Sequence, residues 1–90
     1  MQAIVLQCRY YTVSCNGLLE RWLLAVEESV DGDYIMVREK VDTDKRKENY
    51  HLTYDDAEFD LECTHEQWVG RGALLESAET FEFPRFEEEL

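Results

Sequence analysis

The sequence predicts an α+β fold: an antiparallel sheet of four or five strands joined as hairpins, with one helix packed on one face. Two observations carry this expectation. Apolar residues recur mainly with period two, between turn signals at Asn16-Gly17 and Asp31-Gly32-Asp33. Only one stretch, opening at Thr64-His65-Glu66-Gln67, carries a helix-start signature. The chain has 90 residues, enough for one domain with one modest core, so residues 1–90 are expected to form a single acidic domain. Residues 86–90 are the candidate for disorder.

Each element follows from local pattern. Ile4, Leu6, Cys8 and Tyr10 alternate with Val5, Gln7, Arg9 and Tyr11, a β-rich composition that predicts a first strand to about Val13. Asn16 and Gly17 both tolerate positive φ and predict a tight hairpin. Residues 18–29 fit either a helical stripe (Leu18, Leu19, Trp22, Leu23, Val26) or one strand face (Trp22, Leu24, Val26). The Asp31-Gly32-Asp33 turn and the β-rich Tyr34-Ile35-Met36-Val37 beyond it favour strand. Residues 42–49 contain no apolar side chain and predict an exposed loop or hairpin tip, where Lys45, Arg46 and Lys47 pair with Asp42, Asp44 and Glu48.

Further on, Tyr50, Leu52 and Tyr54 alternate. Phe59, Leu61 and Cys63 then alternate with Glu58, Asp60 and Glu62, which predicts two more strands about a turn at Asp55-Asp56. A helix is expected from Thr64 to about Ser77, with Trp68, Val69, Gly72 and Leu75 facing the sheet. A last short strand is expected at Thr80-Phe81-Glu82-Phe83 before Pro84.

Charge is the chain's most informative property. Of the net −12, most falls on residues 55–90, where 12 acidic side chains face only Arg71 and Arg85, whereas residues 1–40 carry six acids and four bases. Such segregation increases self-repulsion, a cost that a positively charged partner would offset. On a strand, Glu58, Asp60 and Glu62 would stand about 6.6 Å apart, twice the rise per residue, in a row resembling backbone phosphates. Together with Asp55, Asp56, Glu66, Glu82, Glu87, Glu88 and Glu89 they predict an acidic surface for a Lys- and Arg-lined groove. Phe83 and Phe86, set among these carboxylates, are the candidate aromatic anchors. Against this stands the reading of a solvated face that serves solubility.

Catalytic and metal chemistry find little support. The only histidines, His51 and His65, sit in no nucleophile signature. Cys63-Thr64-His65 lacks the paired-cysteine spacing of structural zinc, and Cys8, Cys15 and Cys63 read as small hydrophobes, reduced in a cytosolic compartment. No enzyme activity, cofactor or metal is expected. The sparse basic residues argue against direct nucleic-acid binding. The apolar run 18–26 is far short of a membrane span and the N-terminus is no secretory signal, so a cytoplasmic location is expected, in the host if the chain is viral.

In size, acidity and absence of a catalytic constellation the chain is similar in type to phage-encoded inhibitors of host defence, of the anti-CRISPR and anti-restriction kind. No motif carries that resemblance, which implies only the kind of task. The expected function is therefore a non-enzymatic DNA mimic that blocks the basic, nucleic-acid-binding surface of a larger protein or complex. The alternative is a structural or adaptor subunit that homodimerises or joins a complex through a β-edge.

Overall fold

A computed structural model describes residues 3–81; Glu82, Phe83, Phe86, Glu87, Glu88 and Glu89 lie outside them. The fold is α+β. Five strands, β1 (Ile4–Cys15), β2 (Leu18–Glu28), β3 (Tyr34–Lys40), β4 (Arg46–His51) and β5 (Leu74–Thr80), form one antiparallel sheet in the order β4-β3-β2-β1-β5. Among the described residues a single helix, α1 (Tyr54–Gly70), connects the two edge strands and packs on one face.

The first three strands follow the turn chemistry. Asn16 and Gly17 take φ of 51° and 81°, the positive pair that a two-residue hairpin requires, and β1 pairs with β2 out to Cys15 and Leu18. Between β2 and β3 the Ser29 hydroxyl accepts the amides of Asp31 and Asp33 while Gly32 adopts φ 89°. The segment that fitted both periods is thus a strand. Trp22, Leu24 and Val26 point to the helix, and Leu23 and Ala25 to the opposite face.

The chain departs from the sequence reading after Lys40. The turn to β4 is short, with Asp42 at φ 63° and the Lys40 amide donating to the Lys45 carbonyl. Arg46 and Lys47 therefore belong to a strand rather than a loop tip. Arg46 bridges Glu48 at 2.9 Å and Glu27 at 3.0 Å over the sheet face that the helix leaves bare. Ala25, Ile35 and Val37 are buried on that face, with Cys8 and Leu23 packed against them.

The largest correction concerns residues 54–70. Glu58, Asp60 and Glu62 lie on no strand, and Thr64 does not start a helix; all four are inside α1. The true N-cap is Thr53, whose hydroxyl accepts the Asp56 amide at 3.2 Å, with Asp55 and Asp56 at the positive end of the helix dipole. Thr64 is buried mid-helix and donates its hydroxyl back to the Asp60 carbonyl at 2.9 Å. The helix ends at Gly70, short of Ser77. The Gly72 amide bonds the Val69 carbonyl, the Ala73 amide bonds the Trp68 carbonyl, and Gly72 takes φ 103°, which is a Schellman stop. Leu75 consequently lies in β5, Leu74–Thr80; of the strand expected at 80–83, Thr80 closes β5, the Phe81 amide bonds the Leu6 carbonyl, and Glu82 and Phe83 lie outside the described residues.

The core lies between helix and sheet. Ala57, Leu61, Thr64 and Trp68 form the inward stripe at helical spacing, against Tyr11, Leu24, Val26 and Met36. Trp68 meets Tyr11 and Trp22 edge-on, at centroid separations of 5.4 Å and 5.7 Å. Among the described residues no helix is long and apolar enough to cross a membrane.

Tyr11 gives the core a sensitivity to alkali. Its ring is buried and its hydroxyl lies 2.7 Å from His65 Nδ1. Burial pushes its pKa up, so the folded state holds the phenolic proton more tightly than the unfolded chain does. That stability is complete below the ordinary tyrosine pKa near 10 and is lost as pH rises through the higher folded value. Urea midpoints measured from neutral to alkaline pH should fall above about pH 10, and the fall should be shallower in Tyr11→Phe.

Candidate functional site: the outer face of the helix

The helix sorts its carboxylates into two sets, one held by the flanking strands and one facing outward, and Glu62 belongs to both. Successive residues turn by about 100°, so Glu58 and Asp60 diverge widely instead of lining up as a phosphate-like row. Glu58 accepts from Gln7 Nε2 and from the Tyr54 hydroxyl, both at 3.0 Å, and Glu62 pairs with Arg9. On the opposite flank Asp60 accepts Asn49 Nδ2 and meets His51 Nε2, each at 2.9 Å. These three carboxylates tie the helix to β1 on one side and to β4 on the other.

The second set faces outward. Phe59 is 70% exposed. Asp55, Asp56, Glu62 and Glu66 stand four and three residues before it and three and seven after it, the positions that surround it on a helix surface. Asp55, Asp56, Glu62 and Glu66 are all exposed, and α1 contains six carboxylates with no lysine or arginine. An exposed phenylalanine forgoes about 1.5–3 kcal/mol of burial, so the fold gains nothing by placing one there. Asp55 and Asp56 also favour the helix start, and Glu62 also holds Arg9. Glu66 has neither role among the described residues.

Of the residues named from sequence, the structure therefore gathers Asp55, Asp56, Glu62 and Glu66 on one face and diverts Glu58 and Asp60 to structural contacts. Phe59, the centre of the face, was missed. Its signal was the Thr53–Asp56 cap, which sets the helical phase and turns Phe59 away from the Ala57-Leu61 stripe.

Other sites offer less chemistry. A groove of about 340 Å³ beyond the helix C-terminus is lined by Val13, Cys15, Trp22, Trp68 and Arg71. Its one carboxylate, Glu20, is held by Lys40 Nζ at 2.9 Å and by Trp22 Nε1 at 3.1 Å. Burial, with the Glu79 carboxylate, pushes the Cys8 thiol up, opposite to what an activated nucleophile needs. Among the described residues no three His, Cys, Asp or Glu side chains converge as metal ligands. No family model, curated protein or solved structure matches this chain.

Proposed function

We propose that this chain is a non-enzymatic acidic binding protein that blocks a basic, nucleic-acid-binding surface of a larger partner, in the manner of phage-encoded DNA mimics directed at host defence. The observation that carries the reading is Phe59, exposed at the centre of a helix face whose only charges are carboxylates. Exposed ion pairs contribute less than about 1 kcal/mol each, so useful affinity needs many of them around a buried anchor. Phe59 supplies the anchor, and Asp55, Asp56, Glu62 and Glu66 supply the charge. Glu82, Phe83, Phe86 and the 87–89 carboxylates, read from the sequence for the same role, lie outside the described residues.

Affinity capture from a host lysate tests this. The parent chain should retain a basic nucleic-acid-binding protein that elutes as salt rises, and a Phe59→Ala, Glu66→Lys double variant should retain far less while folding normally. Equal retention by both would remove the helix face from the account.

A second reading is favoured by a separate observation. β5 is an edge strand whose residues are all exposed, the form expected of a chain that assembles through a β-edge.

A further inference from the structure

We propose that the chain binds a small phosphate-class oxyanion at a basic corner of the sheet, held by Arg38 of β3 and Lys47 of β4 with Lys40 beside them. The inference is independent of the helix face and of the β-edge.

A chain with 21 acidic side chains has carboxylates to spare for every cation it carries. Arg9 pairs with Glu62, Arg21 with Glu76, Lys40 with Glu20, and Arg46 with Glu27, Glu39 and Glu48. Among the described residues Arg38, Lys45, Lys47 and Arg71 form no such pair. Of these, Arg38, Lys45 and Lys47 belong to β3, β4 and the turn that joins them.

The register sets Arg38 directly opposite Lys47. Both project from the face that carries the helix, the face of Met36 and Asn49. Lys40, two residues along β3, continues the row about 6.6 Å away. Like charges opposed across two strands destabilise a sheet, so the pair costs the fold stability. Arg38 carries a second cost. Its Nε is buried without a hydrogen-bond partner, although the side chain as a whole is only half-buried. An oxyanion at the open end of the guanidinium offsets both, because it balances the delocalised charge whose Nε corner is sealed and screens Arg38 from Lys47.

The surrounding charges fix the class of ligand. Glu20 is held by Lys40 at 2.9 Å, and Asp60 accepts from Asn49 and meets His51, so neither answers Arg38. Asp42 and Asp44 stand exposed in the adjoining turn. With the net charge of −12 they repel a long polyanion such as nucleic acid and leave room only for a compact one. A phosphate dianion matches two unpaired cations, and its tetrahedral oxygens can take the guanidinium fork and an ammonium together. A carboxylate brings half that charge.

The test is the response of the full chain to inorganic phosphate, against sodium chloride of equal ionic strength. Amide resonances of Arg38 and Lys47 should shift saturably, with a dissociation constant on the order of millimolar, as expected of a few part-exposed charge pairs. Urea midpoints should rise more in phosphate than in chloride, because the ligand binds the folded chain alone. Lys47→Glu sets an opposite charge across from Arg38, so it should raise the midpoint in chloride and abolish the saturable shifts. Arg38→Met removes the orphaned Nε and should likewise lose them. Any rise in midpoint that both variants keep is the general effect of phosphate on apolar burial and is subtracted. Glycerol phosphate, titrated in parallel, distinguishes a phosphate ester from the free anion by the tighter of the two. Equal phosphate responses in the parent and both variants overturn the proposal, as do saturable shifts confined to residues outside β3 and β4.

Discussion

Leu61→Ala is expected to destabilise the fold by about 2–5 kcal/mol, a large share of what so small a chain possesses. Leu61 is fully buried at the middle of the inward helical stripe, against Tyr11, Leu24 and Met36, so truncation leaves a cavity that rigid strands cannot close. The urea midpoint should drop steeply with little change in slope, because the surface exposed on unfolding hardly alters. Phe59→Ala, two residues away, should leave the midpoint almost unmoved. If both substitutions cost the same, the helix is not in the phase described.

The second large effect separates structural carboxylates from those available to a partner. Reversing Glu58, Asp60 and Glu62 together to lysine is expected to destabilise the chain by about 3 kcal/mol or more, since buried or half-buried groups lose charge-assisted hydrogen bonds. The losses are specific. Gln7 and Tyr54 lose Glu58, Asn49 and His51 lose Asp60, and Arg9 faces a like charge in place of Glu62. Most of the cost should come from Asp60 and Glu58, because Glu62 is exposed and its pair is screened by solvent. Reversing Asp55 and Glu66 should cost under about 1 kcal/mol, the loss of a favourable helix-dipole contact offset by relief of net charge. Thermal unfolding of both sets in the same buffer decides the matter. Equal stability would mean that the inner carboxylates do not hold the helix.

Sequence patterns captured the sheet better than the helix, for a physical reason. Turn residues act locally: Asn16-Gly17 and the Ser29–Asp33 turn fix their φ values and hydrogen bonds within a few residues, so the β1–β2–β3 meander was legible. In residues 58–63 charged and apolar side chains alternate strictly, which imitates a half-buried strand. The alternation arises because Glu58, Asp60 and Glu62 are wanted by partners on the flanking strands, while Phe59 faces solvent. Those demands come from the tertiary fold and cancel the amphipathic signal. Two cap signals also competed. Thr64-His65-Glu66-Gln67 has the form of a capping box, yet the working cap is Thr53, and Gly72 marks the stop. The acidity of the site was readable from composition; which carboxylates remain free was not, because that depends on the helical phase.

The central claim, that the outer face of α1 competes with nucleic acid for a basic surface, is tested most directly by displacement. A labelled DNA or RNA duplex bound to the captured partner is titrated with the chain and followed by fluorescence anisotropy. The account predicts release of the nucleic acid, no binding of nucleic acid by the chain itself, and a displacement that weakens steeply with salt. Phe59→Ala should require about tenfold more protein for the same release, the loss expected of a buried aromatic anchor. Partner, chain and duplex bound together as one complex, or displacement by Phe59→Ala as efficient as by the parent, would contradict it.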